Sequence, residues 1–251
     1  MHAATETLRL IERLHVRAWP ASETERTDGW LWRWSGGASQ RANSVSTVDF
    51  TGTDAESALD RIESRYRAKG APAQLHTLGL DGELSQPAGL PALLTARGYG
   101  AGESTVTMLA VMQAPVVPPE GVTVTPDPTP EWLDVYLDAI SDSRREVNRR
   151  ILGRIPDPRA YFSVWRDGRV ISSALGVVNG GHAVAECVAT RAGARGQRGA
   201  DAAMRSLIAW AVSLGAHTIG LQVVEGNQPA MTLYHRLGFA TACTNRFWVK
   251  R

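Results

Sequence analysis

Lysine is nearly absent from this chain. Of its 27 basic residues, only Lys69 and Lys250 are lysines. An arginine guanidinium suits phosphate and carboxylate recognition, although the abundance of alanine and glycine fits a general composition bias equally well. Excess charge of one sign is also missing: 27 basic residues stand against 25 acidic ones, a net charge of +2. Nothing in that balance calls for nucleic acid or an anionic membrane as partner. Cysteine is scarce. Cys187 and Cys243 stand at no metal spacing, which argues against a zinc site and a disulfide scaffold. Both read as small core residues in a reducing compartment, and no metal is expected. No apolar run reaches the ~18 residues of a transmembrane helix. The N-terminal segment MHAATETLRLIERLHVRAW carries acids and arginines at helical spacing. It lacks the unbroken apolar stretch of a signal peptide, so a cytoplasmic location is expected.

What is present is an ordinary globular composition, 43% hydrophobic and 21% charged over 251 residues. That suffices for one large domain or two of ordinary size. Ala114 to Glu120 reads APVVPPE, a proline-rich extended linker. The expected division is residues 1–113, a linker at 114–120, and residues 121–251.

Strand and helix signals alternate in both halves, giving an α/β class. In the second half, strands are expected at Gly121–Pro126, Tyr161–Arg166, Val170–Val178, His182–Thr190, Thr218–Val224 and Ala240–Lys250. Helices are expected at Pro130–Ser141, Ser143–Ile155, Gly199–Leu214 and Pro229–Leu237. In the first half, Gly29–Ser35 and Asn43–Phe50 read as paired strands. Asp54–Lys69 reads as a helix, Gln74–Leu78 as a strand, Leu90–Arg97 as a helix and Thr105–Met112 as a strand. LLTARGYG (Leu93–Gly100) parallels LYHRLGFA (Leu233–Ala240). Each is a helix end, a glycine suited to the left-handed conformation and an aromatic that packs back, so an internal repeat is expected. The first copy has only Thr51-Gly52-Thr53 where the second has a long loop, so its site should be lost.

That loop lies in the most informative stretch, Val188 to Phe239. A β-branched strand enters RAGARGQRGA (Arg191–Ala200), which opens a long helix. Outward-pointing N–H groups and the helix dipole make such a junction an anion site. After a second strand comes Asn227-x-x-Ala230-x-x-x-Tyr234-x-x-x-Gly238-Phe239.

These segments, with Leu207–Gly215, resemble the GNAT family of acetyl-CoA-dependent N-acetyltransferases over about residues 120–251. Arg195-Gly196-Gln197-Arg198-Gly199-Ala200 is similar to the family's Arg/Gln-x-x-Gly-x-Gly/Ala loop, with Arg198 standing where its central glycine belongs. Either the loop is shifted or Arg198 projects outward toward phosphate. GWLWRWSGGASQRANSV (Gly29–Val45) is similar to a bacterial subgroup with a degenerate GNAT-like first half. The resemblance implies two GNAT-like units, each a mixed, mostly antiparallel sheet flanked by helices, the second one catalytic.

It further implies direct transfer of acetyl from acetyl-CoA to a primary amine of a small molecule or amino acid. Protein lysine or N-terminal acetylation and a non-catalytic acyl-CoA sensor are the alternatives. Val188, Ala189 and Thr190 would pair with the pantetheine arm, and Arg195, Gly196, Gln197, Arg198, Gly199 and Ala200 would hold the pyrophosphate. Tyr234 would protonate the leaving thiolate; the other reading is a core tyrosine. Glu186 would be the general base, on one face with Val188 and Thr190 and raised in pKa by burial; a solvent-facing residue, with water as base, is the other reading. Asn227 reads equally as a coenzyme contact or a helix cap. Arg144, Arg145, Arg149 and Arg150 read as a solvated face, or as a gate for an acidic substrate or the coenzyme's 3′-phosphate. Trp30, Trp32 and Trp34 share one face and read as core, Arg41 and Asn43 as lining a cleft, and His182 and His235 as non-catalytic. The partner is a small amine, and the chain a monomer or homodimer.

Overall fold

Strands from both halves of the chain join edge to edge into one eleven-stranded sheet. The computed structural model describes residues 2–79, 84, 85, 87–112 and 116–250; Ala114 and Pro115 of the expected linker lie outside them. The first half supplies α1 (His2–Ala18), β1 (Glu23–Thr27), β2 (Trp30–Trp34), β3 (Val45–Ser46), α2 (Ala55–Ala68), β4 (Gln74–Thr77), α3 (Leu90–Ala96) and β5 (Tyr99–Val111). The second supplies β6 (Val122–Thr125), α4 (Pro130–Asp138), α5 (Asp142–Leu152), β7 (Arg159–Arg166), β8 (Arg169–Asn179) and β9 (His182–Thr190). It continues with α6 (Gly199–Ser213), β10 (Thr218–Val224), α7 (Gln228–Arg236) and β11 (Ala240–Lys250).

The order across the sheet is β1-β2-β3-β4-β11-β5-β10-β9-β8-β7-β6. Only β3–β4 and β9–β10 run parallel, so the sheet is mixed and mostly antiparallel. The last strands of the two halves are exchanged. β5 lies against β10, and β11 lies between β4 and β5. The two helix-glycine-aromatic corners that lead into these strands match: Gly98 and Gly238 have φ of 79° and 90°, and Tyr99 and Phe239 behind them are buried.

Strands β9, β10 and β11 have the bounds their apolar patterns predict. The first half departs further. A hairpin the sequence did not announce, β1–β2 around Asp28-Gly29, precedes the expected pair, which does form: β2 and β3 run antiparallel on either side of Gly36-Gly37. The polar sequence of β1, ETERT, hides the first hairpin because an exposed edge strand needs no apolar face. β3 is only two residues long and meets β2 at Leu31 and Ser46. β5 begins at Tyr99, because Gly100 and Ala101 pair with Val249 and Trp248 of β11 despite their weak strand preference.

Alternation along β8 sends Ala174 and Val178 to one face and Leu175 and Val177 to the other. α6 and α7 cover the first face with Met204, Leu207, Ile208 and Tyr234. α1, α4 and α5 cover the second with Ile11, Leu14, Trp132 and Ile151. Thus α1, from the first half by sequence, packs on strands of the second. It fits because Gly220 has no side chain: a Cβ there would lie 2.5 Å from Ile11 Cγ2. Trp30 and Trp32 form a separate core with Leu59, Ile62 and Tyr66 of α2, with Trp34 half-buried beside them.

Candidate active site

The site begins where β9 and β10 part. Their parallel pairing runs only from His182/Thr218 to Ala185/Leu221, although both strands continue. Beyond Ala185, the edge of β9 facing β10 has no strand partner among the described residues. A bulge lies at the same place. Ser173 pairs with Ala189 and Leu175 with Glu186, so Cys187 and Val188 together face Ala174. Cys187 takes a φ of 52°, a conformation costly for a residue with a Cβ. Directly paired residues share a face, so Glu186 and Ala189 lie on one side and Thr190, paired with Ser172, on the other. This corrects the expectation that Glu186, Val188 and Thr190 face together; a Cys-Val pair reads as ordinary strand, which hid the bulge. Cys187 is half-buried at the bend rather than a plain core residue.

Below this fork is a cavity of about 860 Å³ lined by Val188, Ala189, Thr190, Arg195, Gly196, Arg198, Gly199, Ala200, Asn227 and Tyr234, and also by Arg236. Of the predicted loop residues only Gln197 is not among its lining. Arg198 is the N-cap of α6 with φ 56° and ψ 24°, the left-handed conformation that glycine favours. The loop therefore needs no shift: arginine adopts glycine's backbone geometry, at a cost of about 1–2 kcal/mol. Gly199 is required for another reason, since a Cβ there would lie 2.8 Å from Ser172 Cβ. The first helical bond runs from Ala202 N to Arg198 O, so the N–H groups of residues 199–201 precede the helical ladder. No side chain caps them. The corresponding helix of the first half, α2, is closed instead. Asp54 accepts from Glu56 N at 3.0 Å and from Ser57 N at 3.1 Å. Its own carboxylate takes the place of an anion.

On the other side of the fork is a cavity of about 500 Å³, lined by residues of both halves. Gln40, Arg41 and Glu103 come from the first; Tyr136, Arg144, Glu186, Cys187, Gln222 and Tyr234 come from the second. The two cavities share Val188, Asn227, Ala230 and Tyr234.

Glu186 is 6% exposed and fully engaged. Arg41 donates Nη1 to Oε1 and Nη2 to Oε2, both at 2.8 Å, and His15 Nδ1 lies 2.8 Å from Oε1. Burial alone would raise this carboxyl; the Arg41 charge and the His15 hydrogen bond overcome it and hold the pKa at about 2. The expected rise is thus reversed, because the partners lie far away in sequence. Arg41 also stacks on Trp19, 4.8 Å from the ring centroid. A second buried pair adjoins. Glu12 lies 3.1 Å from His76 Nδ1 and accepts from Gln222 Nε2 at 2.8 Å. Sequence reasoning passed over His15 and Glu12. The available signal was two polar residues within the apolar stripe of Ile11, Leu14 and Ala18 on α1.

Tyr234 is 7% exposed, and burial, with the Glu186 charge, pushes its phenol up to about 12. Asn227 caps α7, accepting from Ala230 N at 3.3 Å, and still lines both cavities. Arg41 enters the cleft as expected. Asn43 does not: its Oδ1 accepts from Ser35 N and Gly37 N, and its Nδ2 donates to Ser39 O. Neither His182 nor His235 lines either cavity. Among the described residues no group of three or more His, Cys, Asp or Glu could hold a metal ion, and no helix is long and apolar enough to cross a membrane.

Residues 5–248 match the family described as "Probable histone acetyltransferase Rv0428c C-terminal". The uncharacterized N-acetyltransferase YobR of Bacillus subtilis (strain 168) is 25% identical over 256 residues, 98% of this chain and 100% of that protein. A GCN5-related N-acetyltransferase from Kribbella flavida has the same fold, with a TM-score of 0.70 at 16% identity, covering 96% of this chain and 95% of its own. A tandem GNAT protein from the clavulanic acid biosynthesis pathway gives a TM-score of 0.61 at 12% identity, over 77% of this chain and 68% of its own. The family match takes in both halves and the strands they exchange, and this chain belongs to that family: it is an N-acetyltransferase of the GNAT type.

Proposed function

We propose that this enzyme moves the acetyl group of acetyl-CoA directly to a primary amine of a small molecule or amino acid. The supporting observation is the meeting of an anion-suited cavity and a smaller, separate cavity at Val188, Asn227, Ala230 and Tyr234. The pantetheine arm lies along the unpartnered edge of Val188 to Thr190 as an added strand. The pyrophosphate lies over the 195–200 loop, where Arg195, Arg198 and the uncapped α6 amides offer charge and hydrogen bonds. A backbone N–H at the bulge polarises the thioester carbonyl.

The amine nitrogen attacks the carbonyl carbon, and the carbon–sulfur bond breaks. Tyr234 gives its proton to the departing thiolate and regains one from solvent. Its phenol, at about 12, keeps that proton until a strong base appears. Glu186 is too firmly paired to take a proton from an ammonium. We assign it the role of a fixed negative charge that steadies the nitrogen as it becomes cationic, while the amine proton passes to water.

The test is release of free thiol from acetyl-CoA across a broad panel of amines. Silence on every amine, with no coenzyme binding by calorimetry, would refute the proposal. Acetylation of protein amines is the second reading, favoured by the description of the matched family. The charges lining the cavity weigh against it. Arg41 and Arg144 balance Glu103 and Glu186, whereas a lysine-rich tail calls for an acidic groove.

A further inference from the structure

We propose that the acceptor is an amine bearing a carboxylate, of the amino-acid class, and that Arg144 holds this carboxylate on the wall of the smaller cavity. The inference rests on the acetyl-transfer reading and narrows its acceptor.

Four charged side chains line that cavity: Arg41, Glu103, Arg144 and Glu186. Two cancel, since Arg41 spends both terminal nitrogens on Glu186. The two left over are Arg144 on α5 and Glu103 on β5. Neither has an ion-pair partner among the described residues. One cation and one anion, both exposed at the mouth of a cavity of about 500 Å³ and both without an ion partner, complement a zwitterion, and the volume lies in the range of small-molecule sites.

The neighbouring arginines are placed otherwise, Arg149 lining neither cavity. Arg145 donates to Leu137 O at 3.0 Å and pairs with Asp142 at 3.1 Å. Arg150 pairs with Glu146 at 2.9 Å. Arg195, Arg198 and Arg236 line the larger cavity, where the coenzyme phosphates would lie. Arg144 lines only the smaller one, which separates it from the phosphates and from its neighbours on α5. Its charge reaches the bulge, pulling the Cys187 thiol and the Tyr136 phenol downward against the rise that burial gives both. Tyr136 lines the same cavity, but its hydroxyl is engaged: its oxygen accepts from Asn148 Nδ2 at 2.8 Å, and the group also hydrogen-bonds Cys187. The Arg144 guanidinium on this wall recognises a carboxylate, while the amine of the same molecule faces Val188 and Tyr234.

The experiment compares each of the twenty amino acids with its decarboxylated amine at saturating acetyl-CoA, with free thiol as readout. The carboxylate-bearing member of a turned-over pair should have the higher kcat/KM, by about 10- to 100-fold. Arg144→Gln should bring that ratio toward one, mainly through KM for the amino acid. Arg144→Lys, which keeps the charge and loses the fork, should give an intermediate ratio. Arg150→Gln, on the same helix but outside the cavity lining, should keep the full ratio. Equal or better turnover of the decarboxylated amines or of a lysine-rich peptide, or an unchanged ratio in Arg144→Gln, overturns the inference and leaves acetyl transfer standing. No turnover on any amine, with no coenzyme binding, overturns both.

Discussion

Arg41→Ala separates a structural account of Glu186 from a decorative one. Arg41 makes two 2.8 Å hydrogen bonds to a carboxylate that is 6% exposed. Its removal leaves that charge with His15 alone. Breaking a buried pair from one side costs about 3–5 kcal/mol. The Arg41 side chain keeps 29% of its surface exposed, so water can enter the vacated space and the low end applies. The lost cation–π contact with Trp19 adds about 0.5–1 kcal/mol. The sum is roughly 3.5–4 kcal/mol at neutral pH, measured by urea unfolding. The sign of the pH dependence is the sharper readout. In the wild type the Glu186 pKa is lowered from 4.5 to about 2 on folding, so its contribution is present above about pH 4.5 and is lost as pH falls toward 2. Without Arg41, burial dominates and raises the carboxyl, so the folded state binds the extra proton and the variant recovers stability as pH falls from 7 to 5. In a Glu186→Gln background the same Arg41→Ala change should cost less, by at least ~1.5 kcal/mol. A cost below about 1 kcal/mol, equal in both backgrounds and with no change of pH slope, would refute the reasoning.

Three further changes probe the coenzyme side. Tyr234→Phe should lower kcat by about 10²- to 10⁴-fold while calorimetry shows acetyl-CoA affinity nearly unchanged; parallel loss of both would make the tyrosine structural. Gly199→Ala places a methyl 2.8 Å from Ser172 Cβ, which should cost about 1–3 kcal/mol and weaken coenzyme binding as the first turn of α6 is pushed off β8. Unchanged stability would show that the turn can yield. Arg198→Gly relieves the left-handed backbone, so thermal denaturation should show stability equal or higher by about 1 kcal/mol, while loss of the cation weakens acetyl-CoA binding. A fall in both would mean that Arg198 holds the loop by its side chain.

The sequence made local structure legible wherever one residue type has one physical use. Gly98 and Gly238 mark left-handed helix ends, Asn227 marks a cap, and β-branched runs between turns mark β9 and β10. It failed where the decision is made by distant neighbours. The bulge at Cys187 depends on β10 turning away from β9. The pairing of Glu186 depends on residues 145 and 171 positions earlier in the chain. The exchange of β5 and β11 leaves no trace in composition, because each strand would fit beside either half. The first part of β5, with Gly100 and Gly102, is a strand only because β11 lies along it.

The exchange gives the loss of one anion site a structural counterpart. In the first half, Asp54 fills the amides of α2, so this helix offers phosphate no open terminus. Its β5 nonetheless separates β10 from β11 and brings Glu103 to the rim of the second half's fork. Its turn after β2 brings Arg41 to Glu186, and α1 brings His15 to the same carboxylate. Arg41 and Glu103 thus line the cavity, and His15 reaches the Glu186 carboxylate, all three from the first half. The first half therefore cannot be read as an inert spacer. The anion-suited junction belongs to the second half, whereas the smaller cavity, and the charge on Glu186, are set jointly by both halves. On the proposed reading that this cavity takes the acceptor, substitutions around Arg41 and Glu103 should change acceptor choice as directly as those on α5, although the sequence resemblance to acetyltransferases is strongest elsewhere.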